Sequence, residues 1–255
     1  MKRLIYTLLV VATVATSCTV DEGRSSSPMN IAYPIVNATI ADIRDVNNLV
    51  QTIIYYHDYL TAENEEEQQL IYNTYLRDIE ITAVENIHTL TISAYDNSGV
   101  QRKYSIVIKS SNGTPLTSTT WSVTRLEYLP YKMTFTIGAD EYHADISSFT
   151  SKSRTGSADL RYVDLRDEEH NRHFGVSGEI HSVDTNESGT QPLTLDITFT
   201  TPAAYINNIG YSGRVDITCH DALYNTTDKV TMQYSEQPFG IYIYYGDCDV
   251  FFDAY

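Results

Sequence analysis

Two hydrophobic periods divide this chain. Ile40, Ile43, Val46, Leu49, Val50, Ile53 and Ile54 recur mostly at steps of three or four, the spacing of one apolar helix face. Thr39 followed by Asp42 reads as a capping box with Asp in place of Glu. The pattern pauses at Leu60 to Glu63, and Asn64 then precedes Glu65, Glu66 and Glu67. Acidic residues suit the positive end of a new helix. Leu70, Ile71, Tyr75, Leu76 and Ile79 supply its apolar face. The spacing predicts a helical hairpin over residues 37–80.

Beyond residue 80 the period falls to two. Leu90, Ile92 and Ala94 alternate with polar residues, Asp96-Asn97-Ser98-Gly99 is a turn, and Tyr104, Ile106 and Ile108 make a return strand. Similar runs follow at Met133–Ile137, Tyr142–Ile146, Leu160–Leu165, Phe174–Ile180, Leu193–Phe199, Val215–Cys219, Val230–Tyr234 and Ile241–Phe252. With no helical pattern between them, about ten to twelve short strands predict an antiparallel domain over residues 81–255. The fold class expected is α+β, mainly β, with the helical hairpin ahead of an antiparallel β-sandwich, meander or barrel-like domain. Thr150–Ser157 is read as a long hairpin loop, not a domain boundary. An integral membrane barrel is disfavoured, because the candidate strands are short and their ends are dense with charge, as at Arg166–His170.

The first residues carry a different signal. Lys2 and Arg3 precede an apolar run from Leu4 to Ala12, and Ala15-Thr16-Ser17 are small residues directly ahead of Cys18. A basic start, a short apolar stretch and a small-residue cut site make an export signal. With the cysteine in place the segment resembles the bacterial lipobox, although Ala15 stands where that motif usually has Leu. The resemblance implies cleavage ahead of Cys18, acylation of its thiol, and a palmitate-type anchor of two or three chains, which holds firmly where one chain would not. It divides the chain into a signal peptide over 1–17 and a lipid-anchored tether over 18–36, Ser-rich near its start. Asp21 and Glu22 soon after the cysteine resemble the surface-export signal of Bacteroidota lipoproteins, which implies an outer-membrane, cell-surface address.

Charge and composition narrow the partners. The chain is strongly acidic at −16, and loss of Lys2 and Arg3 would make it more so. Such a protein is repelled by nucleic acid and by anionic lipid surfaces. Tyrosine is abundant, at 21 residues against the single Trp121, which suits half-exposed strands and stacking surfaces alike. In Ile241-Tyr242-Ile243-Tyr244-Tyr245, alternation puts Tyr242 and Tyr244 on one face, a flat surface for a sugar ring or peptide if it is open to solvent. Cys219 and Cys248, bound for an oxidising compartment, are either a disulfide pair or two buried free thiols, and the sequence favours neither reading over the other.

No catalytic motif is legible, and no cofactor is implied. His170 and His173, next to Glu168 and Glu169, are spaced for a metal but sit in turn-like sequence with His143, His181 and His220 far away in the chain. Asp221, Asp247 and Asp249 lack the spacing of a calcium loop. Gly175-Val176-Ser177-Gly178 is one residue short of a nucleophile elbow, and Cys219 and His220 would point to opposite faces of a strand. The expected role is a non-enzymatic binding or adhesion-type module of the cell envelope, with a glycan or protein ligand. The alternatives are a structural or assembly subunit of an envelope complex, presenting the apolar face of the helical pair, and an uncatalogued hydrolase.

Overall fold

In the computed structural model the described residues are 28–95, 101–151, 154–166, 172–184, 193–206, 209–222, 224–236 and 239–253. The signal peptide, Cys18 and its acidic neighbours lie outside them.

Helix α1 runs from Pro28 to Thr61. The apolar face read from Ile40 to Ile54 therefore starts earlier than expected, with Ala32, Ile35 and Val36 buried in the same stripe. Residues 28–36 are its first turns, not tether. Pro34 lies inside the helix at an exposed position, where its ring faces solvent and not the packed side. The second arm of the hairpin is short. Helix α2 spans Glu65–Ile71 and passes into a single π turn at Tyr72–Leu76. Asn64 caps it, its Oδ1 accepting from the Glu67 amide at 2.9 Å while Glu67 accepts from the Glu63 amide at 2.8 Å, a reciprocal box. The arm folds back on α1 by stacking Tyr75 on Tyr55, with ring centroids 4.0 Å apart. Ile79, expected on that helix, instead opens the first strand.

Thirteen antiparallel strands follow: β1 (Ile79–Val84), β2 (Ile87–Tyr95), β3 (Gln101–Ser110), β4 (Thr120–Arg125), β5 (Tyr131–Ile137), β6 (Glu141–Thr150), β7 (Arg154–Arg166), β8 (Arg172–Asp184), β9 (Leu193–Ile206), β10 (Ile209–Asp221), β11 (Thr226–Glu236), β12 (Phe239–Tyr245) and β13 (Cys248–Asp253). Among the described residues each pairs only with its neighbours in sequence, from β1 to β13, and the two end strands do not pair with each other. The protein is thus mainly β, an open antiparallel meander behind an N-terminal helix. The Thr150–Ser157 stretch is the β6–β7 hairpin, closed by the Ser151 amide on the Arg154 carbonyl at 2.8 Å. The long run Ile241–Phe252 is two strands, split at Gly246-Asp247.

One helix touches strands from one end of the sheet to the other. Tyr56 packs near Trp121 of β4, Tyr55 meets Phe174 of β8, and Tyr33 meets Phe252 of β13 edge-on at 4.8 Å. The sheet therefore curves around α1, leaving a narrow exposed stripe at Pro34, Asn37, Arg44, Asp45 and Asn48. Ile43, Val46, Val50, Ile53 and Ile54 are buried against Leu90, Ile108, Phe135, Leu160, Ile197 and Met232. Each such aliphatic burial is worth about 1.5–3 kcal/mol.

A central proline helps the sheet bend. Pro202 in β9 has no N–H for the ladder, and β9 carries extra residues there against both of its neighbours. The β8 register shifts between Val176 and Gly178, and the β10 register shifts around Gly213. Gly178 (φ 119°) and Gly213 (φ 108°) adopt backbone that side chains rarely enter. A Cβ at Gly178 would lie 2.0 Å from the Asp159 carbonyl oxygen. Bulges of this kind sharpen the local twist.

Polar bonds fix the helix in the trough. Asp42 Oδ2 accepts from Arg154 Nε at 3.0 Å and from the Ser182 hydroxyl at 2.5 Å. Arg154 Nη2 also donates to the carbonyls of Ser182 and Leu193, each at 3.1 Å. Burial pushes the Asp42 carboxyl up, against the pull of the Ser182 and Arg154 bonds. The Tyr162 hydroxyl donates to Asn47 Oδ1 at 2.7 Å, and the Tyr56 hydroxyl bonds His88 Nδ1.

Candidate functional site

Helix α1 covers most of the inner face, and the outer face carries rows of exposed charged and aromatic side chains. There, strand register aligns side chains into rows. Asp216 of β10 lies opposite Thr231 of β11, Thr231 opposite Tyr244 of β12, and Tyr244 opposite Asp249 of β13. The adjoining row runs Arg214, Gln233, Tyr242, Phe251. Alternation is what sorts them: Ile241, Ile243 and Tyr245 face the core, so Tyr242 and Tyr244 face out.

The aromatic half is continuous. Tyr242 and Tyr244 stack at 6.4 Å with an interplanar angle of 22°, and Phe251 stands 4.7 Å from Tyr242. Tyr244 is exposed and Tyr242 half-buried, so the second ring is braced while the first stays open. The polar half is held in shape as well. Asp216 Oδ1 accepts from the Thr231 hydroxyl at 2.7 Å and from Arg214 Nε at 3.2 Å. Gln233 and Asp249 are exposed beside the rings.

The first row continues into a shallow outer groove of about 260 Å³ across β6–β9. Thr198 stands opposite Asp216 and Glu179, Glu179 opposite Asp159, and Asp159 opposite Asp145. Like charges directly opposed are destabilising. Two histidines lie against carboxylates of the groove: His143 Nε2 is 2.7 Å from Asp159, and His181 Nδ1 is 2.6 Å from Asp196. The groove is rich in hydrogen-bond acceptors. Among the described residues no three His, Cys, Asp or Glu side chains converge to hold a metal ion.

The remaining sequence candidates scatter. His173 is buried, its Nδ1 bonded to the Tyr211 hydroxyl at 2.8 Å, and His170 lies outside the described residues. Asp247 sits in the β12–β13 turn, Asp249 on the outer face of β13, and Asp221 at the far end of β10, where it accepts from the Tyr224 amide at 3.3 Å. Gly175–Gly178 lies inside β8. Cys219 is buried and His220 exposed, on opposite faces of β10.

Cys219 is a free thiol, so a Cys219–Cys248 bridge is not made. The reason is topological: Cys219 is on β10 and Cys248 on β13, with two strands between them. Neighbouring strands stand ~4.8 Å apart, and a disulfide needs Cα atoms within roughly 7 Å. Burial, with Asp228 and Asp221 nearby, pushes the Cys219 thiol up to about 11.

Sequence reasoning missed Arg214, Asp216, Thr231, Gln233 and Phe251, whose place beside the two tyrosines depends on strand register. It also missed Arg154, whose buried role no local pattern marks. Among the described residues no helix is long and apolar enough to cross a membrane. Compared with known proteins, the chain matches no family model, no curated protein and no solved structure.

Proposed function

We propose that this chain is a lipid-anchored outer-membrane binding module that holds a glycan on the outer face of β10–β13. The observation that carries this reading is the grid of Tyr242, Tyr244 and Phe251 beside Asp216, Gln233 and Asp249. Flat aromatic faces pack on the C–H faces of sugar rings, and flanking carboxylate and amide groups accept and donate hydrogen bonds to hydroxyls. The anchor would be the acylated Cys18, and the tether the segment between it and α1. The sheet reads best as an unclosed barrel wrapped around its helix, since the strand order is unbroken and a two-sheet sandwich would need a crossover. Display at the cell surface follows from the resemblance of the leader to surface lipoproteins.

Two measurements test this. Protease shaving of intact cells should remove the protein, and Cys18→Ala should release it from the membrane fraction; protection from protease would contradict surface display. A glycan array probed with the full chain should retain it on a defined subset of structures. Uniform absence of retention would contradict the ligand class.

A further inference from the structure

A second cavity, on the other side of the sheet, has the makings of a small-molecule site. It is a cleft of about 210 Å³ between α1 and strands β2–β6. Its apolar lining is Val46, Leu49, Ile92, Ile106, Ile146 and Phe149. Polar residues line it from both the helix and the sheet. Arg125 is packed between two phenol rings, its guanidinium carbon 4.9 Å from the Tyr104 ring centroid and 4.8 Å from that of Tyr131. Its Nε and Nη2 both donate to the Leu129 carbonyl oxygen, at 2.9 and 2.6 Å. These bonds hold the guanidinium in place and leave Nη1 uncommitted among the described residues. Asp45, Asn48 and Thr52 stand on the helix side of the cleft.

The second observation is Tyr131. It lines the cleft and is 2% exposed, yet its hydroxyl has no hydrogen-bond partner among the described residues. A buried polar group without a partner costs about 1–3 kcal/mol and is rare in a native fold. Here the orphan donor stands beside a cation over an apolar cleft. An apolar cavity of about 150 Å³ already accommodates benzene, so this cleft has room for a short apolar tail.

We propose that the cleft binds a small monocarboxylate with a short apolar tail, the tail lying over Leu49, Ile106 and Ile146. The carboxylate accepts from Arg125 and from the Tyr131 hydroxyl. The ligand thereby satisfies a donor that has no partner among the described residues. This site is separate from the outer-face grid and does not rest on it.

The test is a methyl-detected NMR titration of the Cys18→Ala chain, which lacks the anchor, in detergent-free buffer with hexanoate, hexanamide and hexylammonium. Hexanoate should shift the Leu49, Ile106 and Ile146 methyls and bind tightest, with hexanamide weaker and hexylammonium weakest. Tyr131→Phe should weaken hexanoate about fivefold, the value of roughly one hydrogen bond, while leaving the thermal stability of the free protein unchanged or raised. Arg125→Gln should weaken it about tenfold or more. Arg125→Lys, which keeps the charge, should retain part of the affinity and so separates lost charge from lost packing. Absence of methyl shifts, equal response to hexylammonium, or unchanged hexanoate affinity in Tyr131→Phe would each overturn the proposal.

Discussion

The two faces of the sheet are made from the same strands and obey opposite rules. The inner face packs on α1: Leu90, Ile108, Phe135, Leu160 and Val215 are fully buried, and its buried Asp42, Arg154 and Ser182 bond one another. The outer face carries carboxylates in register, His–Asp pairs and one aromatic strip. An inner change alters packing that nothing can replace, whereas an outer change meets water. Away from the cleft between α1 and β2–β6, stability should therefore reside on the inner face and glycan recognition on the outer one, with strand alternation as the partition between them.

The largest break in this division comes from the inner polar lock. Arg154→Ala leaves the Asp42 carboxyl buried without its cation and should cost about 3–5 kcal/mol, read as a lowered urea midpoint. Ile53→Ala, at the centre of the helix face and 0% exposed, should cost about 2–5 kcal/mol through lost transfer energy and the cavity left behind.

A smaller, pH-dependent effect comes from His88. Burial lowers its pKa, so its neutral form is favoured in the folded state. The stability it contributes is present above its unfolded pKa, about 6.5, and is lost as pH falls through the lowered folded value. The drop in Tm between pH 7.5 and 5 should therefore be larger in wild type than in His88→Gln. Asp42 has the opposite sign. Its raised pKa favours the protonated form, a contribution present in acid and lost as pH rises through the folded value. An equal pH response in wild type and His88→Gln would remove His88 from this account. The smallest stability effect belongs to the outer face, where Tyr244→Ala should shift unfolding by no more than about 0.5 kcal/mol.

Much of the inner face was legible from period alone. The helix stripe from Ile40 to Ile54 and the alternation through Leu90, Tyr104 and Met133 predicted elements that the structure contains. The misses have physical causes. The first turns of α1 were placed in the tether because the apolar stripe was read only from Ile40, whereas Ala32, Ile35 and Val36 already belong to it. Only the first two residues of β1, Ile79 and Glu80, were read as helix, and no strand was recognised there; just Ile79 of its six residues is buried, as befits an edge with one partner. Strand β4, short and set between loops, showed too few alternations to register. The outer site was half legible. Tyr242 and Tyr244 face out by local alternation, but their polar neighbours come from β10, β11 and β13, and only the register brings these together. The disulfide question stayed open in the sequence for the same reason: chain spacing between Cys219 and Cys248 says nothing of the two strands that separate them.

The most direct test of the division is to measure binding and folding together on the outer grid. With a glycan retained by the wild-type chain, the Tyr242→Ala/Tyr244→Ala double variant should lose affinity by about tenfold or more, on the scale of two stacking contacts, while its urea midpoint stays close to wild type. Unchanged glycan affinity, or a collapse of stability as large as that of Arg154→Ala, would contradict the assignment of glycan recognition to the outer face.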